Sequence, residues 1–131
     1  MKSALLFATL AFASLFGCQT KPPAPPAFRA CEKLASAGVA VQCRAAQANG
    51  LASAAREVVA FNIPGLRGGG GQVMHFEKAA DLAATEEQLE TIREFVGPHR
   101  YVSEQARVLV QLNPETPAEL GAKAKSVVLA L

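Results

Sequence analysis

Arg107-Val108-Leu109-Val110-Gln111-Leu112-Asn113 is the stretch that decides the fold. Val108, Val110 and Leu112 recur at every second position, the period at which a strand sets its side chains on one face. Downstream, Thr116-Pro117-Ala118-Glu119 combines a capping box with proline at the first helical position. Leu120, Ala124, Val127, Val128 and Leu131 then form the apolar face of a final helix. Upstream, Pro98-His99-Arg100-Tyr101 reads as a loop, and Gly97-Pro98 ends a helix expected over residues 78–96. In that helix Leu82, Leu89, Ile92 and Val96 form a stripe. Glu86, Glu90 and Glu94 repeat every four residues on a different, solvated face. Thr85 with Gln88 matches a second capping box, where the helix would break or restart.

Further from the central strand, Glu57 to Ile63 is a second strand, ended by Pro64-Gly65. Strand character resumes from Gln72 to Glu77, and a hairpin through Gly68-Gly69-Gly70-Gly71 is the simplest connection. Ala45 to Ala55 reads as a loop or short helical turn. Phe28, Cys31 and Leu34 share a helical face, with Gly38 as a natural stop. Val39, Val41 and Cys43 alternate along a following strand. The order is α-β-β-β-α-β-α. It implies one α+β domain over residues 28–131, a small two-layer sandwich in which a mostly antiparallel sheet of about four strands carries helices on one face.

Ahead of this domain, residues 19–27 read Gln-Thr-Lys-Pro-Pro-Ala-Pro-Pro-Ala. Four prolines fix φ and remove backbone donors, so an extended polyproline II spacer is expected, some 25–30 Å long at ~3.1 Å per residue. Before it, Lys2 precedes thirteen uncharged residues, Ala4 to Phe16. As a helix that run would span roughly 20 Å, short of the ~30 Å hydrocarbon core, so it suits a signal peptide rather than a permanent span. Leu15-Phe16-Gly17-Cys18 resembles the lipobox of bacterial lipoproteins, with Leu15, Gly17 and Cys18 matching and Phe16 bulkier than the usual choice. The resemblance covers residues 1–20 only. It implies removal of residues 1–17, a lipid-modified Cys18 and attachment to the membrane through acyl chains, which together make release very slow. Gln19 stands where inner-membrane lipoproteins of enteric bacteria commonly carry Asp, so the resemblance implies the outer membrane, facing the periplasm.

With Cys18 assigned to lipid, Cys31 and Cys43 remain, and an exported domain sees oxidising conditions. The helix and strand patterns aim both sulfurs at the core between them, so a disulfide is expected, with two buried free thiols as the alternative. Closing a loop of this length contributes about 3 kcal/mol in the chain-entropy model. The pair is not Cys-x-x-Cys and no third ligand lies nearby, which argues against redox or metal chemistry.

Half of the 131 residues are hydrophobic, but 26 are alanine, so large core side chains are scarce and a staple matters. Thirteen basic residues face eleven acidic ones, with no Trp and one Tyr. That excludes the basic face and aromatic platform of a nucleic-acid binder. The glycine run beside Arg67 lacks the Lys of a phosphate-binding loop and reads as a mobile hairpin turn. His75 and His99, the only histidines, flank the long helix and are expected at opposite ends of the domain, too far apart to share a metal. His99, Arg100 and Tyr101 are the candidate recognition loop, the alternative being a connection whose Tyr covers the core edge. No nucleophile–base pair or cofactor motif stands out. The reading is a lipid-anchored envelope protein, non-enzymatic, whose domain binds another envelope protein. A small-ligand or peptide-binding domain is the alternative, and an enzyme comes last.

Overall fold

The computed structural model describes residues 22–131. The expected leader, Cys18 with its lipobox-like motif and residues 19–21 of the expected spacer lie outside the described residues. The elements run α1 (Pro26–Ser36), β1 (Val41–Ala46), a 3₁₀ turn (Gly50–Ala52), β2 (Glu57–Asn62), β3 (Gly71–His75), α2 (Ala79–Thr91), α3 (Arg93–Val96), β4 (Arg100–Ser103), β5 (Val108–Leu112) and α4 (Ala118–Leu129). All five strands form one antiparallel sheet in the order β1-β2-β3-β5-β4. The fold is α+β with the expected succession, plus one strand, β4, in what reads from sequence as a loop.

Two rows of side chains explain the packing. Val59, Val73, Val110 and Tyr101 sit opposite one another across β2, β3, β5 and β4. This row faces α1 and α4 and joins Ala27, Cys31, Leu34, Ala124 and Val128 in the larger core. The adjacent row, Val58, Met74, Leu109 and Val102, faces the other way and meets Leu82 and Leu89 of α2 and Ala52 of the 3₁₀ turn. Helices therefore cover both faces, not one. The β2 run Val58-Val59 is buried on both sides, the pattern of a strand between two layers.

Local chemistry accounts for the other departures. The spacer ends at Pro25, because Pro26, in the first turn where its missing N–H is not needed, opens α1, and Ala27 is fully buried. No side chain of the helix caps that end. The Glu57 carboxylate does so from β2, accepting the N–H groups of Ala27 at 2.7 Å and Phe28 at 3.3 Å. The expected Val39–Val41–Cys43 alternation fails at a bulge between Val41 and Arg44, where Gln42 has φ of 56°. Val39 is buried before the strand starts, Val41 is 42% exposed, and the extra residue turns Cys43 back towards the core. There its sulfur meets that of Cys31 at 2.02 Å, tying α1 to β1 across Cα atoms 6.1 Å apart.

Thr85 does not cap a helix start: α2 runs through it, Thr85 is buried, and the break comes at Ile92 instead. Nor does Thr116 close a capping box with Glu119. Its hydroxyl donates to the Asn113 carbonyl at 2.6 Å, and Pro117 occupies the cap position. The glycine run is a packing requirement at its C-terminal half. A Cβ on Gly70 would lie 1.9 Å from the Phe61 carbonyl oxygen, and one on Gly71 would lie 2.5 Å from the Phe61 ring. Among the described residues no helix is long and apolar enough to cross a membrane.

Candidate partner-docking groove

Among the described residues β4 is the outermost strand on its side of the sheet, so one of its edges has no strand beside it. Its four residues are placed by their neighbours rather than by their own pattern. Arg100, on the α2 side, pairs with Glu90 and donates to Gln111 Oε1 at 3.4 Å, which leaves its side chain only 8% exposed. Gln111 in turn sets Nε2 within 3.1 Å of the Val96 carbonyl, 3.2 Å of that of His99 and 3.1 Å of that of Leu112. These bonds hold the end of α3 and the start of β4 against β5.

On the opposite face, His99 Nδ1 lies 3.3 Å from the Tyr101 hydroxyl. Both pack under Gly121 of α4, where an added Cβ would stand 2.8 Å from His99 Nδ1 and 3.0 Å from the Tyr101 oxygen. Burial pushes the Tyr101 phenol above its ordinary pKa of 10.0, so it remains a neutral hydrogen-bonding group. Of the three residues expected on a recognition loop, only His99 lies on a connection; Arg100 and Tyr101 belong to β4. Their polar ends are taken up in fixing the strand to α2, β5 and α4.

That fixation shapes the surface outside. A groove of about 350 Å³ follows the free edge of β4, with Glu86 of α2 on one side and Lys125 and Leu129 of α4 on the other. Tyr101 and Val102 line its floor. Leu129 is 65% exposed, an unusual position for a large aliphatic side chain. An adjoining cavity of about 260 Å³ has Ala79, Leu82 and Ala83 as its apolar wall and shares Glu86 and Glu104 with the groove. Neither carboxylate has an ion-pair partner among the described residues.

The histidines are separated by β5 rather than by a continuous helix. His75 pairs with Val108, while the His99 carbonyl accepts the Leu112 N–H, four residues and about 13 Å further along. His75 sits instead among Glu57, Arg107, Arg56 and Arg29. Burial is the main cause that lowers its pKa below 6.5; the three arginines add to the lowering and Glu57 opposes it. A further depression of about 270 Å³, beside α1, is lined by Arg29 and Lys33, both exposed and one helical turn apart. Among the described residues no three His, Cys, Asp or Glu side chains are grouped so as to hold a metal.

Nothing in the sequence of β4 announces the groove, because its walls come from residues 79–86 and 125–129, distant in the chain. No protein-family model, curated protein or solved structure matches the chain.

Proposed function

We propose that the chain is a lipid-anchored protein of the bacterial cell envelope whose small domain binds another envelope protein and performs no catalysis of its own. The lipobox-like Leu15-Phe16-Gly17-Cys18 and the proline spacer support the anchor, with the outer membrane facing the periplasm as its place. The observation that carries the binding role is the open groove along the outer edge of β4, walled by α2 and α4.

Its position suits a tethered domain. The spacer enters at α1, whose first N–H groups are held by Glu57 of β2. β4 lies three strands away in the order β2-β3-β5-β4, about 14 Å at the usual strand spacing. A partner reaching the groove therefore does not have to displace the anchor.

The test uses the full-length protein in its own membrane. Cys18→Ser should abolish acylation and retention in the membrane fraction; unchanged fractionation would refute the anchor. A photo-crosslinking residue at position 125, in the groove, should yield a discrete heterologous adduct in intact envelopes. The same residue at position 44 on the opposite sheet edge should not. Equal adducts from both positions, or none from position 125, would overturn the docking role.

A further inference from the structure

We infer that the groove takes a single extended segment of the partner, which adds to β4 as a sixth strand and seats a Lys or Arg side chain between Glu86 and Glu104. The inference rests on the docking role given to the groove above.

The backbone argument comes from the ladder. Leu112 N–H donates to the His99 carbonyl at 2.8 Å, and β4 pairs with β5 in the register Tyr101↔Val110 and Ser103↔Val108. In an antiparallel pair alternate residues bond to opposite sides. His99, Tyr101 and Ser103 thus bond towards β5, while the N–H and C=O of Val102 point outward into the groove. Arg100 lies on the outward register too, but its N–H already donates to the Pro98 carbonyl at 3.0 Å, leaving its C=O. An extended chain laid in the groove would satisfy these groups, which is how strand addition gains affinity. The other sheet edge is less suitable. The bulge in β1 breaks its register, and the Gln42 carbonyl there is occupied by Arg44 Nη1 at 3.2 Å.

The side-chain argument comes from the strand period. Alternate residues of an added strand face opposite walls. Those on the α4 side meet Tyr101 and exposed Leu129, an apolar surface with Lys125 at its margin. Those on the α2 side meet Val102 and Arg100, whose charge is taken by Glu90. They also meet the cavity whose apolar wall is Ala79, Leu82 and Ala83 and whose lining includes Glu86 and Glu104, unpaired among the described residues. A Lys or Arg stem lies well on such a wall, with its charge at the carboxylates. The partner segment is then apolar towards α4 and basic at one position towards α2. A second copy of this chain fits less well. Its β4 offers Arg100 as the only basic side chain, and that one is already paired with Glu90.

The experiment measures binding of two fluorescein-labelled nonapeptides to the full-length protein in detergent micelles. Both alternate Thr and Leu, and they differ only in a central Lys or Glu. The Lys peptide should bind at least tenfold more tightly. The Glu86→Gln/Glu104→Gln double variant should bring the ratio close to one. Val102→Pro removes an outward N–H and leaves the ladder to β5 intact, so it should weaken both peptides at least tenfold; it also changes a side chain packed beside Leu109, which lowers the Tm without unfolding the domain. Should that variant unfold, a Lys peptide N-methylated at alternate residues supplies the same test from the other side.

Equal affinity of the two peptides, lost in Val102→Pro, would overturn the basic-residue inference and leave the groove as the docking surface. Binding indifferent to both Val102→Pro and N-methylation would overturn the groove reading as well. Absence of peptide binding, with self-association abolished by Val102→Pro, would assign the edge to a second copy and refute the inference.

Discussion

Gly121→Ala sets two effects of similar size against each other, and the geometry decides which wins. Gly121 lies inside α4, where alanine is favoured over glycine by about 1 kcal/mol of helix propensity. On an open helix face the substitution would stabilise. Here the new methyl would stand 2.8 Å from His99 Nδ1, 3.0 Å from the Tyr101 oxygen and 3.1 Å from His99 Cε1. All three are well inside van der Waals contact. Both rings are rooted at or beside β4, so α4 must lift or the 3.3 Å His99–Tyr101 contact must open. Overpacking of this kind costs about 1–3 kcal/mol, and a lost hydrogen bond adds about 0.5–1.5. Against the propensity gain, the expected net loss is about 1–2 kcal/mol.

Urea denaturation read by circular dichroism measures that loss. The fluorescence of Tyr101, the only Tyr in a chain without Trp, reports the local change directly. Because His99 supplies two of the three close contacts, His99→Ala in the Gly121→Ala background should recover part of the loss, a coupling a double-mutant cycle resolves. A Gly121→Ala protein about 1 kcal/mol more stable than wild type, with unchanged Tyr fluorescence, would refute the close α4–β4 packing. The shape assigned to the groove would fall with it.

Three further outcomes follow from other parts of the fold. Replacing Cys31 and Cys43 by Ser opens a link spanning 12 residues and should cost about 3 kcal/mol; a loss under 1 kcal/mol in non-reducing urea titrations would show that the bridge constrains little. Glu57→Ala removes the acceptor of two N–H groups at the start of α1 and should cost about 1–2 kcal/mol, whereas Glu87→Ala, exposed within α2 and without an ion pair among the described residues, should change stability by less than about 0.5; equal effects would exclude the cap. His75 is held below 6.5, so the unfolded chain binds its proton first as pH falls, and stability declines as pH drops through 6.5 towards the folded value. His75→Gln should flatten that part of the profile in urea midpoints taken between pH 8 and 5, and a wild type that gains stability on acidification relative to the variant would contradict the sign.

How much of this was legible beforehand depended on where each element's stabilising partners lie. β5 and β2 declare themselves because alternation is written within each strand. α1 and α4 do so because their apolar faces recur at helical spacing. The Cys31–Cys43 pair followed from the same two periods, although the local strand pattern erred at Gln42, where the bulge resets the alternation. β4 was missed because Arg100, Tyr101, Val102 and Ser103 carry no apolar alternation of their own. Their strand state comes from β5 on one side and from Glu90, Gln111 and Gly121, all remote in sequence. A signal for helices on both faces was present in Val58-Val59 and Val108-Leu109-Val110, continuous apolar runs that a sheet covered on one side does not need.

What the residues determined by themselves was local: periods of two and of about 3.6, proline stiffness, glycine stops, and the motif around Cys18. Only the tertiary structure decided that Glu57 caps a helix thirty residues earlier. It alone decided that Arg100 is buried against Glu90 and that an edge strand lies open between two helices. A backbone period depends on neighbours along the chain, whereas a charge's partner, or the depth of a groove, depends on which segments the folded core brings side by side.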